Sequence, residues 1–292
     1  MPRGALLCNE PMSKHTSWRV GGPADEFFVP ADREDLIVFL RELSPDIPIT
    51  WAGLGSNLLV RDGGIRGVVI GTHKGLGVIR KVTRNRIYAE AGVPSAKVAR
   101  FSAREGLAGA EFFAGIPGTL GGALVMNAGA FGSETWTVVQ AVETIDRWGR
   151  VHRRLHDEYE IGYRSVTAPV GGEWFIAAEL SLVSGDVFTG MQKIKDLLTK
   201  RAQTQPLQIP NAGSVFRNPP GDYAARLIEA CGLKGVCEGQ ACVSELHANF
   251  IENHGGATAA QIEALIDRVR RKVIAQYGVS LELEVRVIGE NV

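Results

Sequence analysis

The chain carries no surplus of charge: 32 basic and 32 acidic residues cancel at pH 7. That balance removes the usual footprint of a nucleic-acid or membrane-surface partner, and neither is expected. It also lacks any apolar run near the roughly 18 residues a membrane span needs. A polar residue interrupts the first stretch, MPRGALLCNEPMSKHTSW, too early for the apolar core of a secretion signal, so a cytoplasmic location is expected. Cysteine is scarce: Cys8 stands alone, and Cys231, Cys237 and Cys242 precede His247. The intervening gaps of five, four and four residues do not match paired C-x-x-C ligand spacing, so no metal is expected. The four thiols read as small hydrophobes.

Glycine, by contrast, is abundant, with 35 residues in 292, against about 7 % in ordinary proteins. Eighteen residues, GIPGTLGGALVMNAGAFG from Gly115 to Gly132, hold six glycines and no side chain charged at pH 7. Glycine costs conformational entropy and packs nothing, so this concentration asks for a cause. Tight turns between strands are one cause; a ligand pressed against bare backbone is the other. A second glycine loop, AGLGSNLLV from Ala52 to Val60, favours the ligand, because two bare cradles suit a diphosphate attached to a flat ring system. The loop lies between two apparent strands and has Leu58 at the third position of a G-x-G-x-x-G pattern, so a Rossmann site is a poor match.

The length suits two or three domains or one elaborated domain. DEFFVP reads as a strand, and Asp32 caps a helix with Leu36, Phe39, Leu40 and Leu43 on one face. IPITWA is a second strand, and a DGG turn divides LLVRDGGIRGVVI into two more. RIYAEAG, FIAAEL and VVQAVETID add strands around a helix at 95–105. Met191, Ile194, Leu198 and Arg201 mark a helical stripe that ends at TQPLQIPNAGSVFRNPPGDY, with four prolines and two glycines. That segment reads as a linker doubling as a functional loop, since Ser214, Arg217 and Asn218 lie in it. DYAARLIEACG is a further helix, and strands are expected near ACVSE and ANFIEN. Thr258 and Gln261 form a capping box for a helix carrying Ile262, Ile266, Val269, Val273 and Tyr277 and closed by Gly278. The end, SLELEVRVIG, alternates strictly: Leu281, Leu283, Val285 and Val287 on one face, Glu282, Glu284 and Arg286 on the other. Two readings of the charged face stand, a solvated surface or the wall of a cleft. The class is α+β.

Together these pieces resemble one family, the UDP-N-acetylenolpyruvoylglucosamine reductases of peptidoglycan precursor synthesis. The resemblance rests on TSWRVGGPAD, AGLGSNLLVRDGGIRGVVI, AGIPGTLGGALVMNAGAFG, GYRS, NAGSVFRNPPG, SELHANFIEN and LELEVRVIG, in coherent order over nearly the whole chain. It implies a vanillyl-alcohol-oxidase-like (PCMH-type) FAD-binding fold of two subdomains, 1–75 and 76–188, with an α+β substrate domain at 189–292. The strand at 280–289 is expected to return near the first subdomain.

The resemblance also implies roles. Gly53, Leu54, Gly55, Ser56, Asn57 and Leu58 would hold the FAD diphosphate through backbone N–H groups. Gly115, Pro117, Gly118, Gly121, Gly122, Asn127 and Gly129 would bracket the ribityl chain and isoalloxazine. Arg164, Ser214 and Glu284 match the catalytic positions, and Arg217, Asn218 and Arg286 would bind substrate. The implied reaction uses NADPH to reduce FAD. Hydride then passes to carbon 3 of the enolpyruvyl group and a proton from Ser214 to carbon 2. Arg164, always charged and bidentate toward carboxylates, would stabilise the developing enolate. A serine is a weak acid for this task, so a neighbouring cation would have to lower the cost of the forming alkoxide.

Only some fifty residues separate Arg164 from Ser214, and SELHANFIEN is present, as in the shorter variant of the family that lacks a tyrosine loop over the substrate. The rival readings are another FAD oxidoreductase of the same fold, acting on a sugar or alcohol, and a binding protein without turnover. Neither glycine segment contains histidine, so the flavin is expected to be non-covalent.

Overall fold

The structure is a computed structural model and describes residues 2–292. Contacts divide the chain into two compact units. The first comprises Met1–Leu7, Phe27–Gly53 and Val68–Arg201; the second comprises Cys8–Glu26, Leu54–Gly67 and Ala202–Val292. Six α-helices serve as landmarks: α1 (Arg33–Glu42), α2 (Ser95–Arg104), α3 (Leu120–Val125), α4 (Val187–Thr204), α5 (Ala224–Ala230) and α6 (Ala259–Tyr277).

The first unit is organised by a five-stranded antiparallel sheet. Its order is Val151–Leu155, Val139–Asp146, Glu173–Ser181, Arg86–Glu90 and Ile79–Thr83. Alternation along these strands turns Ile87, Ala89, Val142, Ala178 and Leu180 into a core shared with α2, α3 and Phe112–Phe113. Ile194 of α4 is buried in that same core, with Met191 and Leu198 packed against it. The helical stripe read from the sequence therefore stays with the first unit through Arg201.

A second core lies under α1, where Leu36, Phe39 and Leu40 meet Phe28, Val68 and Ile70. Asp32 accepts a hydrogen bond from the Asp35 N–H, a cap of the kind that contributes about 1 kcal/mol. The strand Ile49–Ala52 pairs in parallel with Val68–Gly71, so the first glycine loop leaves the end of a parallel strand. Arg33 fastens α1 to the large sheet through Glu143 (2.6 Å) and the Tyr88 hydroxyl (3.2 Å), and burial pushes that phenol up to about 12.

In the second unit, α5 and α6 pack with Trp18, Leu59, Val215, Phe216, Leu281 and Val285. The capping box at Thr258 and Gln261 is present, and Gly278 takes the left-handed conformation that closes α6. Arg286–Ile288 pairs in parallel with Leu58–Val60.

Two sequence expectations change. The C-terminal alternation is not one continuous strand. Leu283 bridges Phe216, and the N–H groups of Glu284 and Val285 both point at the Val215 carbonyl (2.8 and 3.4 Å). The chain bends there and takes a new partner at Arg286, because two consecutive donors share one acceptor. The second change concerns the thiols. Cys237 and Cys242 form a disulfide, since a two-residue turn at Gly239–Gln240 sets them directly opposite on paired strands. Cys8 is exposed rather than a core residue.

Candidate active site

The glycine segment starts beside buried core of the first unit, at Phe112, Phe113 and Ala114. The Leu120 N–H bonds the Val93 carbonyl and the Gly121 N–H bonds the Ala91 carbonyl, which lays α3 against the end of a sheet strand. Thr119 caps α3, its hydroxyl accepting from the Gly122 N–H. A Cβ on Gly53 would sit 2.4 Å from that same hydroxyl, so the first glycine loop begins in contact with the second.

Many of these glycines answer to the protein itself. A Cβ on Gly121 would lie 2.8 Å from the Ala91 Cβ, and one on Gly115 would lie 2.3 Å from the Phe131 ring. In the second unit, a Cβ on Gly55 would meet the His15 carbonyl at 2.0 Å. Bare backbone here first lets the protein's own side chains and main chain come close. Two features leave something for a ligand. At Gly122 the added Cβ would find only the Thr119 hydroxyl, at 3.9 Å. The Ser95 Oγ, at the start of α2, is fully buried without a protein partner, and the Ser95 N–H bonds the Gly118 carbonyl. A buried hydroxyl with nothing to bond is costly, by about 1–3 kcal/mol, unless a ligand or water supplies the partner. Room and an orphaned hydroxyl beside the glycine segment fit a flavin nucleotide.

Arg164 belongs to the first unit and occupies the tip of a hairpin pairing Glu160–Gly162 with Ser165–Thr167. Its φ of +53° is unusual for a side chain of this size and costs about 1–2 kcal/mol. The guanidinium donates to the carbonyls of Gly129 (3.2 Å) and Asn127 (3.4 Å) and lies over the Tyr163 ring, 5.2 Å from its centre. Asn127 is 1 % exposed. Its amide donates to Glu134 (2.8 Å) and to the Gly162 carbonyl (3.1 Å), and its Oδ1 accepts from the Trp136 N–H (3.0 Å).

The second unit brings the remaining candidates together. Ser214 follows Gly213, whose φ of +75° turns the loop. Asn249 holds the loop: its amide donates to the Phe216 carbonyl (2.8 Å), its Oδ1 accepts from the Phe216 N–H (3.0 Å), and its own carbonyl accepts from the Val215 N–H (2.8 Å). The Glu284 N–H bonds the Val215 carbonyl, placing Glu284 one residue away in register from Ser214. Asn57 clasps the same place, its amide donating to the Glu284 carbonyl (3.0 Å) and its carbonyl accepting from the Arg286 N–H (3.0 Å). The Arg217 N–H bonds the Glu282 carbonyl, and the two side chains stand 3.9 Å apart. Asn218 caps α5 by accepting from the Ala224 N–H. His247 stacks edge-on against Phe250, and burial lowers its pKa.

Sequence reasoning passed over four residues: Ser95, Thr119, Glu134 and Asn249. The available signal was local for Glu134, which ends the run NAGAFGSE, and for Asn249, which sits in SELHANFIEN. An open groove of about 490 Å³ between α6 and the segment that follows α5, lined by Cys231, Arg268, Arg271 and Lys272 among others, holds none of the candidates. Among the described residues no group of His, Cys, Asp and Glu could hold a metal ion, and no helix is long and apolar enough to cross a membrane.

Comparison with known proteins matches both ends of this arrangement. The FAD binding domain family model matches residues 24–154, and the model for the C-terminal domain of UDP-N-acetylenolpyruvoylglucosamine reductase matches 205–288. The chain is 59 % identical to a UDP-N-acetylenolpyruvoylglucosamine reductase of Methylococcus capsulatus, covering 99 % of this chain and 94 % of that one. It is 56 % identical to the reductase of Legionella pneumophila, strain Corby, with the same coverages. The crystal structure of the Thermus caldophilus reductase superimposes with a TM-score of 0.82 at 32 % identity, over 98 % of this chain and 99 % of that one. A 6-hydroxy-D-nicotine oxidase from Arthrobacter nicotinovorans shares the fold, with a TM-score of 0.58 at 10 % identity over 96 % of this chain and 88 % of that one. The chain belongs to the UDP-N-acetylenolpyruvoylglucosamine reductase family and has its FAD-binding, mixed α and β fold.

Proposed function

We propose that the chain reduces UDP-N-acetylglucosamine enolpyruvate to UDP-N-acetylmuramate, with NADPH as electron donor, in the cytoplasm and in the service of peptidoglycan synthesis. The residues from Gly53 to Leu58 and from Gly115 to Gly129 would hold FAD, with residues 189–292 binding most of the substrate. Bound FAD supplies hydride transfer, from the nicotinamide and onward to carbon 3 of the enolpyruvyl group.

The chain's own residues do the rest. Arg164 meets the substrate carboxylate and spreads the negative charge that develops at carbon 2. A fixed guanidinium aimed at such charge is worth several kcal/mol in a dry site, roughly the scale of one preorganised donor. Ser214 delivers the proton to carbon 2. Glu284 relays the proton or holds Arg286 and the substrate, while Arg217 faces the diphosphate. Asn218 contributes through the shape of its loop, since its side-chain Oδ1 already accepts from the first N–H of α5.

The observation that supports these roles best is the bond from the Glu284 N–H to the Val215 carbonyl, which brings the Glu284 main chain beside the serine loop. A carboxyl there can return a proton to the serine as a relay, while the cost of the forming alkoxide still calls for a cation. Steady-state oxidation of NADPH with and without the enolpyruvyl nucleotide tests the proposal. Oxidation that depends on the nucleotide and yields the saturated lactyl ether is expected. NADPH oxidation indifferent to the nucleotide, or reduction of the flavin by a free sugar or alcohol in place of NADPH, would favour another flavin oxidoreductase of the same fold. Acid should release intact FAD from a yellow protein; flavin retained on the polypeptide would contradict the non-covalent reading.

A further inference from the structure

We propose that Glu134 is a positioning residue for the reaction, acting through Asn127 on the hairpin that carries Arg164. The proposal rests on the reading of Arg164 as the group that meets the substrate carboxylate.

Three segments of the first unit converge on one buried amide. Asn127 lies in the glycine segment, Glu134 in the short hairpin strand that pairs with Gly129–Ala130, and Gly162 next to the turn that carries Arg164. The Asn127 amide nitrogen has two hydrogens, and both are used: one on the Glu134 carboxylate (2.8 Å), one on the Gly162 carbonyl (3.1 Å). Its oxygen accepts from the Trp136 N–H (3.0 Å), which fixes which way the amide faces. Trp136 in turn is anchored by its indole N–H on the Leu124 carbonyl (2.9 Å) and is buried against Tyr159. The amide therefore has one orientation, and Glu134 is the only charged group holding it among the hydrogen bonds given above.

That orientation matters because the backbone carbonyl of the same residue, Asn127, accepts from the Arg164 guanidinium (3.4 Å). The Gly129 carbonyl accepts as well, and a Cβ at Gly129 would meet the Ser133 carbonyl (2.7 Å), Glu134 Cγ (3.0 Å) and Arg164 Nη1 (3.2 Å). Glu134 and Arg164 thus share the space a side chain at 129 would fill. Both Asn127 (φ +45°) and Arg164 (φ +53°) adopt left-handed backbone, which persists when surrounding bonds over-determine it. An Asn127 amide that lost its carboxylate partner could turn away from Gly162 and release the hairpin. The guanidinium would then be misplaced without any loss of core.

The experiment measures two half-reactions by stopped flow in FAD-loaded Glu134→Ala, Glu134→Gln, Arg164→Ala and the Glu134→Ala/Arg164→Ala double variant. Flavin content and Tm are read on each. Glu134→Ala should slow flavin reoxidation by the enolpyruvyl nucleotide by about 10- to 100-fold, the scale of a misplaced reacting group, and leave reduction by NADPH within about twofold. Glu134→Gln keeps an acceptor for the amide and should recover most of the rate. On the Arg164→Ala background, Glu134→Ala should add less than about twofold, since residues acting as a unit are not additive. If Glu134→Ala fails to fold, Glu134→Asp, one methylene shorter, is measured in the same way and should show the same split.

Effects of Glu134→Ala and Arg164→Ala that multiply, or equal losses in both half-reactions, would overturn the positioning role while leaving Arg164 in place. An unchanged Arg164→Ala would overturn the reading of Arg164, and this inference with it.

Discussion

Each unit of the molecule uses one buried asparagine to hold one loop that bears a candidate catalytic group, and the two asparagines work differently. Asn249 behaves as a substitute peptide: donor and acceptor both go to the main chain of Phe216, and its own carbonyl takes the Val215 N–H. The Ser214 loop is thereby built into the second unit's core, where Val215 and Phe216 are almost wholly buried. Asn127 instead joins separate segments, and one of its partners is a side chain that can be changed without touching backbone. The Arg164 hairpin rests on the surface of the first unit, with Glu160 and Gly162 exposed. The contrast separates two ways of fixing a reacting group. One makes it inseparable from folding; the other makes it adjustable.

The largest effect is expected beside the inseparable loop. Glu284→Gln should keep flavin content and move Tm by only a few degrees, yet cut turnover by about 100-fold or more if the carboxyl handles the proton. Glu282→Gln, whose side chain is 77 % exposed, should change turnover by less than about twofold. Equal sensitivity at the two positions would put the C-terminal segment in the wrong register and remove Glu284 from the site.

Next in size is the asparagine contrast itself. Asn249→Ala leaves the Phe216 N–H and carbonyl buried without their partners, which should cost about 2–4 kcal/mol in chemical denaturation. Glu134→Ala should cost about 1–2 kcal/mol in the same assay, because it leaves one donor of the buried Asn127 amide without its partner, against two main-chain groups at Phe216. Comparable losses would erase the distinction between the two regions.

The smallest effect concerns pH. Burial lowers the pKa of His247 below its ordinary value near 6.5, so the unfolded chain binds its proton more readily than the folded one. The contribution of this neutral imidazole to stability is present above about pH 6.5 and is lost as pH falls below it. In urea titrations His247→Gln should flatten that part of the stability profile relative to the unaltered chain. An unchanged slope would show that other groups set it.

Much of this was legible in the residues. Asp32, Thr258 with Gln261, and Gly278 announce their helix ends because capping is local chemistry. The heptad-like spacing of Ile262 to Val273 announces a buried face for the same reason. The glycine segments were legible as places of close approach, but not what approaches. Ala91 beside Gly121 and His15 beside Gly55 are far away in sequence, and only folding brings them near. The C-terminal alternation misled because the period of two survives a bend: Leu281 and Val285 remain buried although the pairing partner changes at Arg286. The tie of Asn127 to Gly162, 35 residues on, was not legible. The disulfide needed the turn at Gly239–Gln240 to set its cysteines face to face.

The account turns on Ser214 as the proton donor, and Ser214→Ala measured by stopped flow tests it most directly. A serine needed only to protonate carbon 2 has no task while NADPH delivers its hydride. Flavin reduction by NADPH should therefore stay within about twofold of the unaltered protein, while reoxidation by the enolpyruvyl nucleotide falls by about 100-fold or more, the range of a lost general acid. Equal losses in the two half-reactions would contradict the account, and would make Ser214 a support of the loop rather than a participant in the chemistry.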